Sequence, residues 1–187
     1  MARWEPDAAG RLREAAMALY AERGYDRTTV AEIADRAGVT ARTFFRHFAD
    51  KREVLFAGSE QLEQHMLEAL RDAPPGATPM EAVAACLLAS ARFFDDIRRD
   101  YSRRRQAVIT ATPELREREL IKMASLTAAL TKGLLDRGVA PDVAALAAET
   151  GVAVFRVAYE RWLAEPDGVA LADVIKSTLT TLSGLTA

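Results

Sequence analysis

Along the 187-residue chain, apolar positions recur three and four residues apart, and no stretch shows the period-of-two alternation of a half-buried strand. The pattern predicts an all-α fold. Helix starts are marked by capping chemistry: Thr29 with Glu32, Asp50 with Glu53 and Thr78 with Glu81 each set a side-chain oxygen three residues before a carboxylate that can reach back. Pro79 and Pro113 occupy first-turn positions, where the missing N–H costs nothing. Stops fall at Gly24, Gly38, Pro74-Pro75-Gly76, Gly138 and Pro166-Asp167-Gly168. Together these signals predict about nine helices, at roughly residues 8–22, 29–36, 40–47, 51–72, 79–96, 98–111, 113–136, 142–164 and 169–184.

The second and third of these helices are short and are joined by Ala37-Gly38-Val39. Two helices linked by a tight glycine-containing turn form either a plain helical hairpin or a helix-turn-helix, in which the second helix enters the major groove of DNA. The third helix carries the segment TARTFFRHFADK, residues 40–51. Projected at ~100° per residue, Phe44 and Phe48 share one arc, extended by Ala41 and Phe45, while Arg42, Thr43, Arg46 and His47 occupy the opposite half. Leu12, Ala16 and Leu19 on the first helix and Val30, Ile33 and Ala34 on the second supply partners for the packed arc. The cationic half suits DNA: an arginine can bond the O6/N7 edge of guanine, threonine can reach a base or phosphate, and Lys51 offers a point charge.

Composition narrows the rest. Half of the residues are apolar, as expected of a folded globular chain. The formal net charge is −2, and residues 1–55 hold ten Lys/Arg against nine Asp/Glu, so any affinity for DNA must come from local placement of charge. A single cysteine, Cys86, excludes an intramolecular disulfide framework and fits a reducing compartment. No run approaches the ~18 apolar residues of a membrane span, and no signal-peptide pattern opens the chain, so a cytoplasmic protein without membrane association is expected. Two histidines, His47 and His65, and one cysteine, far apart in sequence, compose no metal set and no Cys/His nucleophile pair. No carboxylate pair stands out as an acid and base either, and no cofactor is expected.

The run GYDRTTVAEIADRAGVTARTFFRHFADKREVL, from Gly24 to Leu55, resembles the N-terminal DNA-binding domain of the TetR family of bacterial transcriptional regulators. The resemblance implies a helix-turn-helix DNA-binding domain over residues 1–50 and a helical ligand-binding and dimerisation domain over 51–187. It further implies base contacts from Ala41, Arg42, Thr43 and Phe45, and phosphate contacts from Thr28 or Thr29, Thr40, His47 and Lys51. Arg46 joins this set from the cationic half of the projection. The projection and the resemblance differ over Ala41 and Phe45. The family usually has tyrosine where Phe45 stands, so a phosphate bond from a hydroxyl is missing and an apolar contact remains.

The expected eighth helix bears its charges, Asp142, Glu149, Arg156 and Glu160, on one narrow stripe and is otherwise almost wholly apolar, so it should be buried on most sides. The resemblance implies that the last two helices pair with their mates in a homodimer. Val152, Phe155, Tyr159, Val174, Ile175, Thr178 and Leu182 are the candidate interface; an ordinary single-chain core is the alternative. Phe93, Phe94, Ile109, Met123, Leu126, Phe155, Tyr159 and Trp162 could line a pocket for a small-molecule effector, or could be core. The arginine-rich stretch RRDYSRRR, residues 98–105, is either a solvated face or an attractor for an anionic head group, and the helices around it resemble a subgroup that takes acyl-coenzyme-A-like ligands. The expected function is a repressor that binds a palindromic operator in double-stranded DNA and is released by its effector, with the fourth helix as lever. A constitutive DNA-binding regulator whose C-terminal domain only dimerises or binds a protein partner is the second reading. An enzyme is not expected.

Overall fold

The computed structural model describes residues 7–185, so residues 1–6 and 186–187 of the two expected domains lie outside the described residues. The described residues contain nine α-helices and no strand: α1 Ala8–Arg23, α2 Val30–Arg36, α3 Ala41–His47, α4 Ser59–Asp72, α5 Pro79–Ser90, α6 Asp96–Ala111, α7 Pro113–Asp136, α8 Pro141–Ala164 and α9 Leu171–Leu185. Short 3-10 turns occupy Glu53–Phe56 and Ala91–Phe93. The reciprocal caps at Thr29–Glu32 and Thr78–Glu81 form as their spacing predicts.

The third cap does not, and its failure divides the expected helix at 51–72. Asp50 accepts the N–H groups of Arg52 and Glu53 at 2.8 and 3.2 Å. Glu53, however, turns away and takes the Arg118 guanidinium at 2.6 Å instead of reaching back. The chain passes through a 3-10 turn and then Gly58, at φ 89 and ψ −6, before α4 begins. A left-handed backbone at this point strains any side-chain-bearing residue, so Gly58 is what permits the break. The expected helix at 79–96 likewise stops at Ser90 and tightens into a 3-10 turn.

The chain forms two units, the first from residues up to 57 together with 103–119, the second from 58–102 and 120 onward. α6 and α7 each continue from one unit into the other. In the first unit, α1 meets both α2 and α3, and α2 meets α3. Its buried side chains include Leu12, Ala16, Leu19, Ile33, Ala34, Phe44, Phe48, Leu55, Ile109 and Leu115. The corner at Thr112-Pro113 is tied to the turn after Asp50. Arg105 Nε donates to the Leu55 carbonyl at 2.6 Å, its guanidinium lies 5.1 Å from the Phe56 ring centre, and Arg118 holds Glu53.

In the second unit α5 is central, meeting α4, α8 and α9. Its residues Ala82, Val83, Cys86 and Leu87 are buried, and burial pushes the Cys86 thiol up to about 12. Gly151 of α8 sits so close to α5 that a Cβ there would lie 2.4 Å from Val83 Cγ1. Two arginines close the ends of helices. Arg137 donates to the carbonyls of Leu70, Arg71, Ala73 and Pro74 at 2.8–3.1 Å, satisfying the C-terminal end of α4. Arg99, only 1% exposed, donates to the carbonyls of Glu165, Pro166 and Val169 and lies 4.6 Å from the Trp162 ring. A buried cation is costly unless surrounded by acceptors, and here the carbonyls beyond the C-terminus of α8 supply them.

Candidate nucleic-acid interface

α3 is a short helix with one deep anchor. Thr40 opens it, its hydroxyl accepting the Thr43 N–H at 3.2 Å and lying 3.1 Å from the Thr43 hydroxyl. Phe44 is fully buried, and its ring meets Phe48 at 5.6 Å and Phe45 edge-on at 5.4 Å. Of the other helical positions, Thr43 is half-buried, and Ala41, Arg42, Phe45, Arg46 and His47 are exposed. Phe45 is 58% exposed. The helical projection that placed Ala41 and Phe45 on the packed arc is thereby corrected. The helix ends at His47, and Phe48 already has an extended backbone, φ −137 and ψ 134, so a helical angle for it is meaningless. Including it drew the apparent centre of the packed arc away from Phe44 and over Ala41 and Phe45.

The exposed surface of α3 therefore runs in sequence around the helix: Ala41 with Phe45, then Arg42 with Arg46, then Thr43 with His47. Among the described residues, neither Arg42 nor Arg46 is paired with a carboxylate. Other arginines of the same unit are committed to the fold. Arg36 of α2 bonds Glu22 of α1 through both nitrogens at 2.6 Å, and Arg23 of α1 bonds Glu32 of α2 at 2.8 Å. Hydrogen bonds from the Thr29 backbone and hydroxyl, with the nearby Arg23 charge, hold the Glu32 carboxyl below its usual range. The Arg36 bond, with its charge, does the same to Glu22. These pairs brace α2 against α1 and so set where α3 is presented.

The residues expected at phosphates fall into two groups. Thr29, Thr40 and His47 are exposed. Thr28 is 1% exposed and its hydroxyl donates inward to the Gly24 carbonyl at 2.9 Å, which removes it from any external contact and corrects its candidacy. Lys51 is half-buried, with its ammonium donating to the Tyr25 and Thr28 carbonyls at 2.9 and 3.0 Å and lying 4.1 Å from the Tyr25 ring centre. Its own carbonyl accepts the Tyr20 hydroxyl at 2.8 Å. Burial, with the neighbouring carboxylates of Glu114 and Asp50, pushes the Tyr25 phenol up to about 12. Lys51 thus fastens the connection that leads into Thr29 and α2.

In the second unit, Leu126, Phe155 and Trp162 lie inside the core, with Phe94, Met123 and Tyr159 packed against it. Phe94, Phe155, Tyr159 and Trp162 form one aromatic cluster with ring centres 5.2–6.3 Å apart. Phe93 meets the His65 ring at 5.4 Å. Ile109 belongs to the first unit, apart from the other expected pocket residues. The stretch 98–105 is not one cationic face, because Arg99 and Arg105 are spent on backbone carbonyls.

The expected dimer residues also need correction. Val152, Phe155, Val174, Ile175 and Thr178 are buried within the chain itself, and Tyr159 and Leu182 are half-buried, because α5 and α9 cover that side of α8. The outward apolar positions of α8 include Val143, Leu146, Ala153 and Val157, of which Leu146 is 70% exposed. These four recur at helical spacing and fall within an arc of ~80°, with the exposed Ala145 outside it. Sequence reasoning, which has α8 buried on most sides, missed them by assigning Val152, Phe155 and Tyr159 of this helix to the interface. The available signal was that its charges occupy only one narrow stripe, leaving more apolar surface than one chain's neighbours can cover.

Among the described residues no group of three or more His, Cys, Asp or Glu could hold a metal, and no helix is long and apolar enough to cross a membrane. Residues 12–57 match the family model of bacterial regulatory proteins, tetR family, and residues 77–186 match that of the MftR C-terminal domain. The HTH-type transcriptional regulator TcmR of Streptomyces glaucescens is 40% identical over 78 residues, 42% of this chain but only 34% of TcmR. A Mycobacterium tuberculosis protein assigned as the mycofactocin biosynthesis transcriptional regulator MftR is 29% identical over 168 residues, 88% of this chain and 83% of that one. The crystal structure of the regulator FadR from Bacillus subtilis in complex with stearoyl-CoA shares the fold at 20% identity, with a TM-score of 0.58 over 92% of this chain and 96% of FadR.

Proposed function

Because the chain belongs to the TetR family of bacterial transcriptional regulators, we propose that it acts as a homodimeric repressor, binding a palindromic operator through α3 and leaving it when a small molecule occupies the second unit. The observation that carries this reading is the surface of α3. Two arginines without carboxylate partners among the described residues and an outward phenylalanine stand on a helix anchored by the buried Phe44. Arg42 is the guanine reader and Arg46 its neighbour toward the backbone; Thr29, Thr40 and His47 serve phosphates. Lys51 acts from behind by holding the segment before α2. A twofold pair of such helices fits a palindrome, and the apolar stripe of Val143, Leu146, Ala153 and Val157 is the surface that pairs.

Effector release is a matter of linkage. A ligand preferring the dimer with its reading helices wrongly spaced lowers operator affinity by the same factor, typically about 1–3 kcal/mol. The route to α3 is covalent: α6 and α7 run from the second unit into the segment 103–119, whose Arg105 and Arg118 grip Leu55 and Glu53. A large apolar anion such as a long-chain acyl thioester is the effector class. Its support is the aromatic cluster around Phe94, together with the stearoyl-CoA bound by the FadR that shares this fold.

Selection of bound duplexes from a random pool tests the reading. It should enrich one palindrome, and Arg42→Ala should weaken that operator by about 1–3 kcal/mol while leaving random DNA nearly unchanged. Equal losses on both would remove Arg42 from base reading. Acyl thioesters should raise the melting temperature; a response to cationic drugs or phenolics alone would reject the effector class.

A further inference from the structure

The charges beside the apolar stripe of α8 are arranged so that the helix complements a copy of itself. Glu149 and Arg156 are exposed and stand seven residues apart, about two helical turns or ~10 Å. Projected at ~100° per residue, they lie within ~20° of each other along one edge of the stripe. Neither is ion-paired among the described residues, although Glu160 follows Arg156 by one turn. A twofold axis crossing α8 at right angles sets the helix antiparallel to its copy and lays the same edge of each against the other. Three registers then bring Arg156 to a carboxylate of that edge. With Asp142, Glu149 meets its own copy at the axis. With Glu160, Val143 and Leu146 face levels beyond the end of the partner helix. With Glu149, the axis falls beside Ala153, the smallest side chain of the stripe, and Leu146 meets the partner's Val157.

We infer that Glu149 and Arg156 are the residues by which this chain selects itself as partner, each pairing with the other's counterpart across the twofold axis. This rests on α8 being the subunit contact, as proposed above, and adds what decides which chains can share it. Apolar side chains discriminate weakly, since any stripe of similar shape can cover Leu146. Charges discriminate by refusal: a partner helix with the same sign at either position sets like charges together. Asp142 and Glu160, on the same edge, fall at the two ends of the contact, where solvent and salt screen them.

Charge exchange in the full chain tests this. Glu149→Arg and Arg156→Glu, each made alone, set two like-charge contacts in a self-dimer. Each should raise the dimer dissociation constant about 30-fold, two attractive exposed pairs having become repulsive. An equimolar mixture of the two variants has both pairs restored and should recover the dimer. The double variant should pair with itself and exchange little with the unaltered chain. Sedimentation equilibrium gives the constants, differently tagged copies report the exchange, and both effects should shrink in about 1 M salt. Circular dichroism checks folding. If the unaltered chain is a monomer at micromolar concentration, the homodimer reading fails and this inference falls with it. If the unaltered chain is a dimer but the single variants dimerise as tightly, or their mixture recovers nothing, only the selection by charge is overturned. Free exchange of the double variant with the unaltered chain overturns it equally, and decides the matter even if a single variant does not fold.

Discussion

The ammonium of Lys51 shows how little a side chain's charge says about its task. In the sequence it stands beside the reading helix and invites a phosphate. In the structure two of its three N–H donors end on the Tyr25 and Thr28 carbonyls. Lys51→Met, which keeps the stem and deletes the charge, should therefore cost about 1.5–3 kcal/mol of stability, the usual worth of hydrogen bonds to a charged group. Operator affinity should fall on all sequences through misplacement of Thr29 and α2. The salt dependence of binding discriminates: a lost phosphate contact lowers the slope by about one, and an unchanged slope is expected here. Denaturant unfolding and titrations at several salt concentrations measure the two effects. Arg99 teaches the same lesson, since nothing in the arginine-rich stretch distinguishes this buried arginine from the exposed Arg98 and Arg104.

Helix boundaries were readable wherever a terminus is made by local chemistry. The boxes at Thr29–Glu32 and Thr78–Glu81 and the proline starts at Pro79 and Pro113 appear where their spacing puts them. The misread element was the helix expected at 51–72, for a physical reason: Glu53 had two available partners, the N-terminus of its own helix and Arg118, sixty-five residues away. The second won, and no local pattern announces it. Phe45 is misplaced for another reason: the projection counts Phe48, which lies one residue past the helix expected at 40–47 and has an extended backbone. Packing between elements was equally silent at Gly151, a residue that looks like a weak point in an apolar helix and is instead the place where α8 approaches α5. Gly151→Ala gains about 1 kcal/mol in helix propensity, but the new Cβ would press on Val83, whose branched side chain is stiff, at a cost of about 1–3 kcal/mol. A lower Tm in differential scanning calorimetry is expected; a raised one would mean that α5 and α8 can slide apart freely.

For the whole molecule, the largest unanswered demand is made by the outward apolar positions of α8. Leu146, 70% exposed, and Val157, 42% exposed, lie on a helix whose opposite side is already packed. Leu146→Glu leaves that packed side untouched but sets a carboxylate in each half of the proposed twofold contact. In sedimentation equilibrium at micromolar concentration it should shift the species from a dimer to a monomer of 20.4 kDa, with cooperative operator binding lost and thermal stability of the chain little changed. A dimer that survives the substitution would move the subunit contact to another surface. The two arginine clasps bear on a different property, the order in which the chain assembles. Arg137 joins carbonyls 63 to 67 residues away and Arg99 joins carbonyls 66 to 70 residues away. Contacts of such separation reward the chain only after a long loop has closed. The helix ends they secure are thus among the last parts of the second unit to settle, and on a chain emerging from the ribosome the carbonyls of α4 wait until Arg137 has been made.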